Sequence, residues 1–173
     1  SEIAAGIEPT DGIFYPGIVQ MNYMTGELIK SYGNAPKMII AMFDMGGSIN
    51  TVEFHSEYHG HEDSPKELLE AIDKLDVDFS PRQIAHVATL SAQANQKLVP
   101  KPHLEEIIKY SATLGALGVN VAHSGTMVGV LFAPDESMKH VMEAVEKIRE
   151  KFPELEYFET ERLISGGYDI EQR

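Results

Sequence analysis

Cysteine is missing from all 173 residues. That excludes disulfides, thiolate metal ligands and a thiol nucleophile. Tryptophan is missing too, and positive charge is scarce: 14 Lys and Arg stand against 27 Asp and Glu, for a formal net charge of -13. A negative surface opposes nonspecific contact with nucleic acid or anionic membrane, so neither is expected as a partner. No apolar run approaches the roughly 20 residues of a transmembrane helix. No signal-peptide pattern occurs, and the expected location is the cytoplasm. No G-x-x-x-x-G-K-[ST] phosphate loop is present.

What is present suits a globular domain. Hydrophobic residues make up 43% and charged residues 24%, which is ordinary for one domain with a real core. Ile18 to Tyr23 and Leu28 to Tyr32 flank Thr25-Gly26 and predict a hairpin. Met38 to Phe43 is continuously apolar and predicts a buried strand; Asn50 to His55 predicts another. Ser64-Pro65 and Ser80-Pro81 each place proline at the first position of a helix, and Pro102 begins a third. The inward faces are Leu68, Leu69, Ile72 and Leu75, then Ile84, Ala88 and Ala92, then Leu104, Ile107, Ile108 and Leu114. Gly118 to Pro134 predicts two strands around a polar loop. Asp135 is expected to cap a fourth helix, whose stripe is Met138, Val141, Met142, Val145, Ile148 and Phe152. Leu155 to Ile164 predicts a last strand. This order favours an α+β fold with a mainly antiparallel sheet covered by helices.

Four short runs carry chemistry. They are Glu8-Pro9-Thr10-Asp11-Gly12, Asp44-Met45-Gly46-Gly47, Ser91-Ala92-Gln93-Ala94-Asn95-Gln96 and Ala122-His123-Ser124-Gly125-Thr126. A small hydroxyl residue on each side of a glycine lets backbone N–H groups approach an anion. Ser91 and Asn95 are four apart and share a helix face. An Asp in a Pro-Thr-Asp-Gly run makes a turn or serves a site. Asp44, ahead of Gly-Gly, reads as a turn residue. The three His within Glu53 to Asp63 do not follow a metal-binding spacing, and no metal site is expected there.

In this order the four runs resemble the C-terminal half of GHMP kinases, the family of galactokinase, homoserine kinase, mevalonate kinase and phosphomevalonate kinase. The branch most similar is that of L-threonine kinases serving cobalamin assembly and propanediol utilisation. The resemblance covers nearly the whole chain. It implies a ferredoxin-like C-terminal domain over residues 1–173, with 1–17 partly an active-site segment of the cleft between two halves. It implies ATP and Mg²⁺ as cofactors, held mainly by an N-terminal half. That half is the expected partner, together with a small-molecule acceptor; a second copy of the chain stays open. The Gly/Ser-rich phosphate loop of that half is not among these residues, so the chain reads as a fragment with little activity of its own. The likeness makes Asp11 the catalytic residue, as base or as orienting group for the acceptor hydroxyl. Thr10, Ser91, Asn95 and His123 would bind substrate. Ser124, Gly125 and Thr126 would form the nucleotide and cleft loop. The acceptor implied is L-threonine; homoserine, a sugar or an isoprenoid alcohol are alternatives. A non-catalytic ferredoxin-like binding module is the rival from another class.

Overall fold

Side chains that alternate along a strand reach opposite faces of a sheet. Ile39, Ala41 and Phe43 are fully buried, while Ile40, Met42 and Asp44 between them are half-buried. Their strand, β3 (Ile39–Asp44), lies inside the main sheet of a computed structural model. The structure describes residues 15–22, 25–47, 65–76, 78–97, 99–122 and 125–166. The strand predicted over Asn50 to His55 lies outside them.

Three more strands complete this sheet: β4 (Gly118–Val121), β5 (Met127–Phe132) and β6 (Glu156–Arg162). Their order is β4-β5-β3-β6, and every neighbouring pair is antiparallel. Helices α1 (Lys66–Asp73), α2 (Pro81–Asn95) and α3 (Leu104–Thr113) lie between β3 and β4 in the chain. Helix α4 (Met138–Lys151) lies between β5 and β6. Two strands flanking a third that arrives later in the chain make the split β-α-β of a ferredoxin-like fold. The predicted α+β class and antiparallel sheet are therefore what the chain adopts. A separate hairpin pairs β1 (Ile18–Met21) with β2 (Leu28–Gly33), as the sequence predicted. The Gly17 N–H donates to the Ser165 carbonyl at 3.0 Å and the Ala35 N–H to the Ser165 hydroxyl at 2.9 Å, which ties both ends of the hairpin to the segment after β6.

The core forms on both faces of the sheet. On one face, Val141, Val145 and Ile148 of α4 and Leu104 and Ile107 of α3 share a buried cluster with Ile39, Phe43, Val119, Val128 and Val130. On the other, Ala85 of α2 packs with Met38 and Leu131. Helix α2 is locked to edge strand β4. The Thr89 hydroxyl donates to the Ala85 carbonyl at 2.8 Å and accepts the Val119 N–H at 2.9 Å. A Cβ on Gly118 would collide with both groups, so glycine permits this close approach.

Helix starts differ in detail from expectation. Pro81 does stand at the first helical position of α2, after an N-cap at Ser80. There Ser80 and Gln83 form a reciprocal capping box: the Gln83 N–H donates to Ser80 Oγ at 3.3 Å, and the Ser80 N–H to Gln83 Oε1 at 2.8 Å. Pro65 is instead the N-cap of α1, with an extended ψ of 136°. Ser137, not Asp135, caps α4 by accepting the His140 N–H at 3.1 Å. Asp135 is taken up by the preceding turn, in which the Glu136 N–H donates to the Ala133 carbonyl at 3.2 Å. Helix α3 begins at Leu104, two residues after Pro102, with His103 as a left-handed N-cap at φ 57°.

Candidate functional site

Antiparallel pairing of β3 with β5 sets Asp44, the last residue of one strand, opposite Met127, the first of the other. The Asp44-Met45-Gly46-Gly47 turn therefore adjoins the end of the β4–β5 loop. Gly46 and Gly47 take left-handed backbone angles, φ 72° and 85°, that glycine adopts without strain. Asp44 Oδ1 accepts the Gly46 N–H at 2.9 Å, which closes the turn. The Met45 N–H donates to the Thr126 carbonyl at 3.1 Å. The Thr126 side chain also hydrogen-bonds the Asp44 carboxylate. Thr126 first, and then the Gly46 N–H, hold the Asp44 carboxyl below its usual pKa.

This corner constrains what Thr126 can do. An ionised carboxylate only accepts hydrogen bonds, so the Thr126 hydroxyl donates its proton to Asp44. Gly125 lets the loop close, since a Cβ there would lie 3.0 Å from that of Ala122. The Ala122 N–H donates to the Met127 carbonyl at 3.0 Å. Thr126 is thus joined to a turn that sequence reading had treated separately.

Ser91 and Asn95 stand four residues apart on α2, Ser91 half-buried and Asn95 only 5% exposed. Gln96, from the same run, is engaged in the fold. Its Nε2 donates to the Lys101 carbonyl at 3.0 Å, and its Oε1 accepts the Lys101 N–H at 2.6 Å. That grip places a residue the sequence reading passed over: Lys101 is 4% exposed. Burial pushes its ammonium pKa down. The usable signal was its position between Pro100 and Pro102, which excludes it from a solvated helix face.

Asp11, Thr10, His123 and Ser124 lie outside the described residues, as does the His-bearing run from Glu53 to Asp63. Among the described residues, no group of three or more His, Asp or Glu side chains is placed to hold a metal ion. Among the same residues, no helix is long and apolar enough to cross a membrane.

Residues 68–151 match the family model described as GHMP kinases C terminal. Over that stretch, a little under half of the chain, the sequence is similar to a GHMP kinase C-terminal domain. The chain is 22% identical over 182 aligned positions to an L-threonine kinase of Citrobacter freundii, covering 99% of this chain and 61% of the relative. It is 21% identical over 136 positions to an L-threonine kinase of Salmonella typhimurium, covering 76% of this chain and 45% of the relative. The chain thus spans about half the length of the curated relatives it matches. A mevalonate kinase of L. major, solved with R-mevalonate, superposes on 83% of this chain and 48% of its own, with a TM-score of 0.60 and 16% identity. That likeness bears on the fold alone.

Proposed function

We propose that this chain is the acceptor-side half of a kinase that transfers the γ-phosphoryl group of ATP to the hydroxyl of L-threonine. The observation that carries the reading is the similarity to an L-threonine kinase along 99% of the chain. In the proposal, the hydroxyl oxygen of L-threonine forms the new bond to the γ-phosphorus as the bond from that phosphorus to the β–γ bridging oxygen breaks and ADP leaves. Its proton passes to Asp11, or Asp11 only orients the hydroxyl while solvent takes the proton. Thr10, Ser91, Asn95 and His123 bind the amino acid. Ser124, Gly125 and Thr126 wall the cleft beside the Asp44 turn. The ATP phosphates and Mg²⁺ are held mainly by an N-terminal half, since these 173 residues hold no phosphate loop. A cytoplasmic location and a role in cobalamin assembly linked to propanediol utilisation belong to the same reading.

The test is phosphorylation by the complete two-domain protein, followed by ³¹P NMR with MgATP. L-threonine, L-homoserine, mevalonate and galactose are offered separately. The expected product is O-phospho-L-threonine. Turnover of another alcohol in its place overturns the substrate, and no turnover of any favours a non-catalytic binding module.

A further inference from the structure

Some charged side chains among the described residues pair with one another on the surface. Lys66 pairs with Glu70 at 3.3 Å and Arg149 with Glu146 at 3.3 Å, each within one helix and in solvent. Lys101 is the opposite case. It is 4% exposed, and among the described residues its Nζ is the one buried side-chain nitrogen or oxygen with no hydrogen-bond partner. Carboxylates are not in short supply, with 27 Asp and Glu in the chain. An unpaired ammonium removed from water is costly, and a fold without use for it would replace it by an apolar residue. Its place is also fixed. The Gln96 amide grips its main chain on both sides, and Pro100 and Pro102 restrict the backbone around it. The same connection ties back to Asn95, whose carbonyl accepts the Val99 N–H at 2.9 Å. The ammonium is thus built onto the end of the helix that carries Ser91 and Asn95.

We infer that Lys101 is the cationic group of a carboxylate-binding site at the C-terminal end of α2, taking the carboxylate of a free amino acid. An ammonium suits a carboxylate, and a charge-assisted bond formed out of water is strong. The inference rests on the kinase reading for the identity of the amino acid. It gives that reading a specificity residue: L-threonine is held by its carboxylate while its hydroxyl stays free to react.

The test uses the chain labelled with ¹³C at lysine Cε, the Lys101 signal being identified by its loss in Lys101→Met. Should Lys101→Met not fold, Lys101→Arg identifies the signal equally well, and every titration is run on the unaltered chain. The probes are L-threonine, L-threoninol, which carries CH₂OH in place of the carboxylate, and inorganic phosphate. L-threonine is expected to shift the Lys101 signal and move its titration back toward the ordinary lysine range, with L-threoninol leaving it unmoved. Equal shifts from both, or none from either, overturn the inference. A shift from phosphate alone reassigns the site to phosphate and also overturns it. In the complete protein, Lys101→Met is expected to raise the KM for L-threonine roughly tenfold to a hundredfold with kcat little changed. L-threonine turnover with an unchanged KM sinks this inference and leaves the kinase reading intact. A Lys101 signal that follows L-threonine in a protein that phosphorylates no L-threonine sinks the kinase reading alone.

Discussion

The Thr126 side chain hydrogen-bonds the Asp44 carboxylate, joining the loop before β5 to the turn after β3. The bond has a consequence in acid. Asp44 has a folded pKa below its unfolded value, which is near 3.9 for a free Asp. Its contribution to stability is therefore complete above the unfolded pKa and is lost as pH falls through the folded one. Asp44→Asn and Thr126→Val are both expected to flatten the fall of melting temperature below about pH 4. Thr126→Ser, which keeps the hydroxyl, should retain the slope. Melting temperatures recorded from pH 2 to 7 decide it, and parallel curves for Thr126→Val and the unaltered chain would rule the bond out as the cause.

Two glycines on the sheet separate a rigid contact from a yielding one. A Cβ on Gly118 would strike the Ala85 carbonyl oxygen, which is helix backbone, and the Thr89 hydroxyl. A Cβ on Gly129 would strike the exposed Asn120 side chain and lie 3.0 Å from Ile40 Cγ2. Asn120 can swing into solvent; the α2 backbone cannot. Gly118→Ala is expected to cost about 1–3 kcal/mol, the usual range for overpacking, and Gly129→Ala distinctly less. Urea unfolding of the two variants gives the ranking, and a larger loss for Gly129→Ala would contradict this account of how α2 seats on β4.

What could be read in the sequence followed physical range. The strands β3 and β5 were legible because burial on both faces leaves near-continuous apolar runs. The start of α2 was legible because Ser80-Pro81 acts on its own neighbours; the Gln83 half of its capping box was equally local and was overlooked. Ser137 and Asp135 compete for one cap, and only the turn geometry chooses between them. The bond from Thr126 to Asp44 joins residues distant along the chain, so it depends on the register of β3 against β5. Lys101 was missed for another reason: lysine is ordinarily solvated, and only its place between Pro100 and Pro102 marked it as different.

Lys101 makes its own pH prediction in the absence of any added ligand. Its folded pKa lies below the ordinary lysine value of 10.5 because burial disfavours the charge. Between the folded and unfolded pKa values the unfolded chain binds the extra proton, so stability rises with pH across that window. Stability of the unaltered chain should therefore climb as pH is raised from the folded pKa toward 10.5. Lys101→Met should start higher and lose the climb. Urea midpoints at a series of pH values test this, and a Lys101→Met variant that keeps the full climb would assign it to other groups.

These 173 residues contain no phosphate loop, and the described ones hold no metal-ion cluster. By themselves they are expected to bind MgATP weakly. Titration calorimetry with MgATP should detect no binding tighter than about 1 mM, the level at which binding free energy is only about 4 kcal/mol. Micromolar binding would place the nucleotide contacts on this domain and reverse the proposed division between the two halves.

Asp11 carries the central residue assignment of the kinase reading, and it separates chemistry from folding cleanly. Asp11→Asn changes little volume and keeps hydrogen-bonding capacity. A turn residue replaced in this way loses around 1 kcal/mol or less and leaves turnover nearly intact. A base or orienting group loses roughly 10²–10⁴-fold in rate with no matching loss of stability. In the complete kinase, assayed with L-threonine and MgATP, Asp11→Asn is expected to collapse kcat while the melting temperature holds. The pH profile then distinguishes the two catalytic roles. If Asp11 accepts the proton, kcat of the unaltered enzyme falls at low pH with the protonation of one carboxylate, and the residual rate of Asp11→Asn loses that limb. If Asp11 only orients the hydroxyl, the amide of Asn can still hydrogen-bond it, and the loss stays near the lower end of the range. Near-normal kcat and KM would remove Asp11 from the site and leave the proton to solvent.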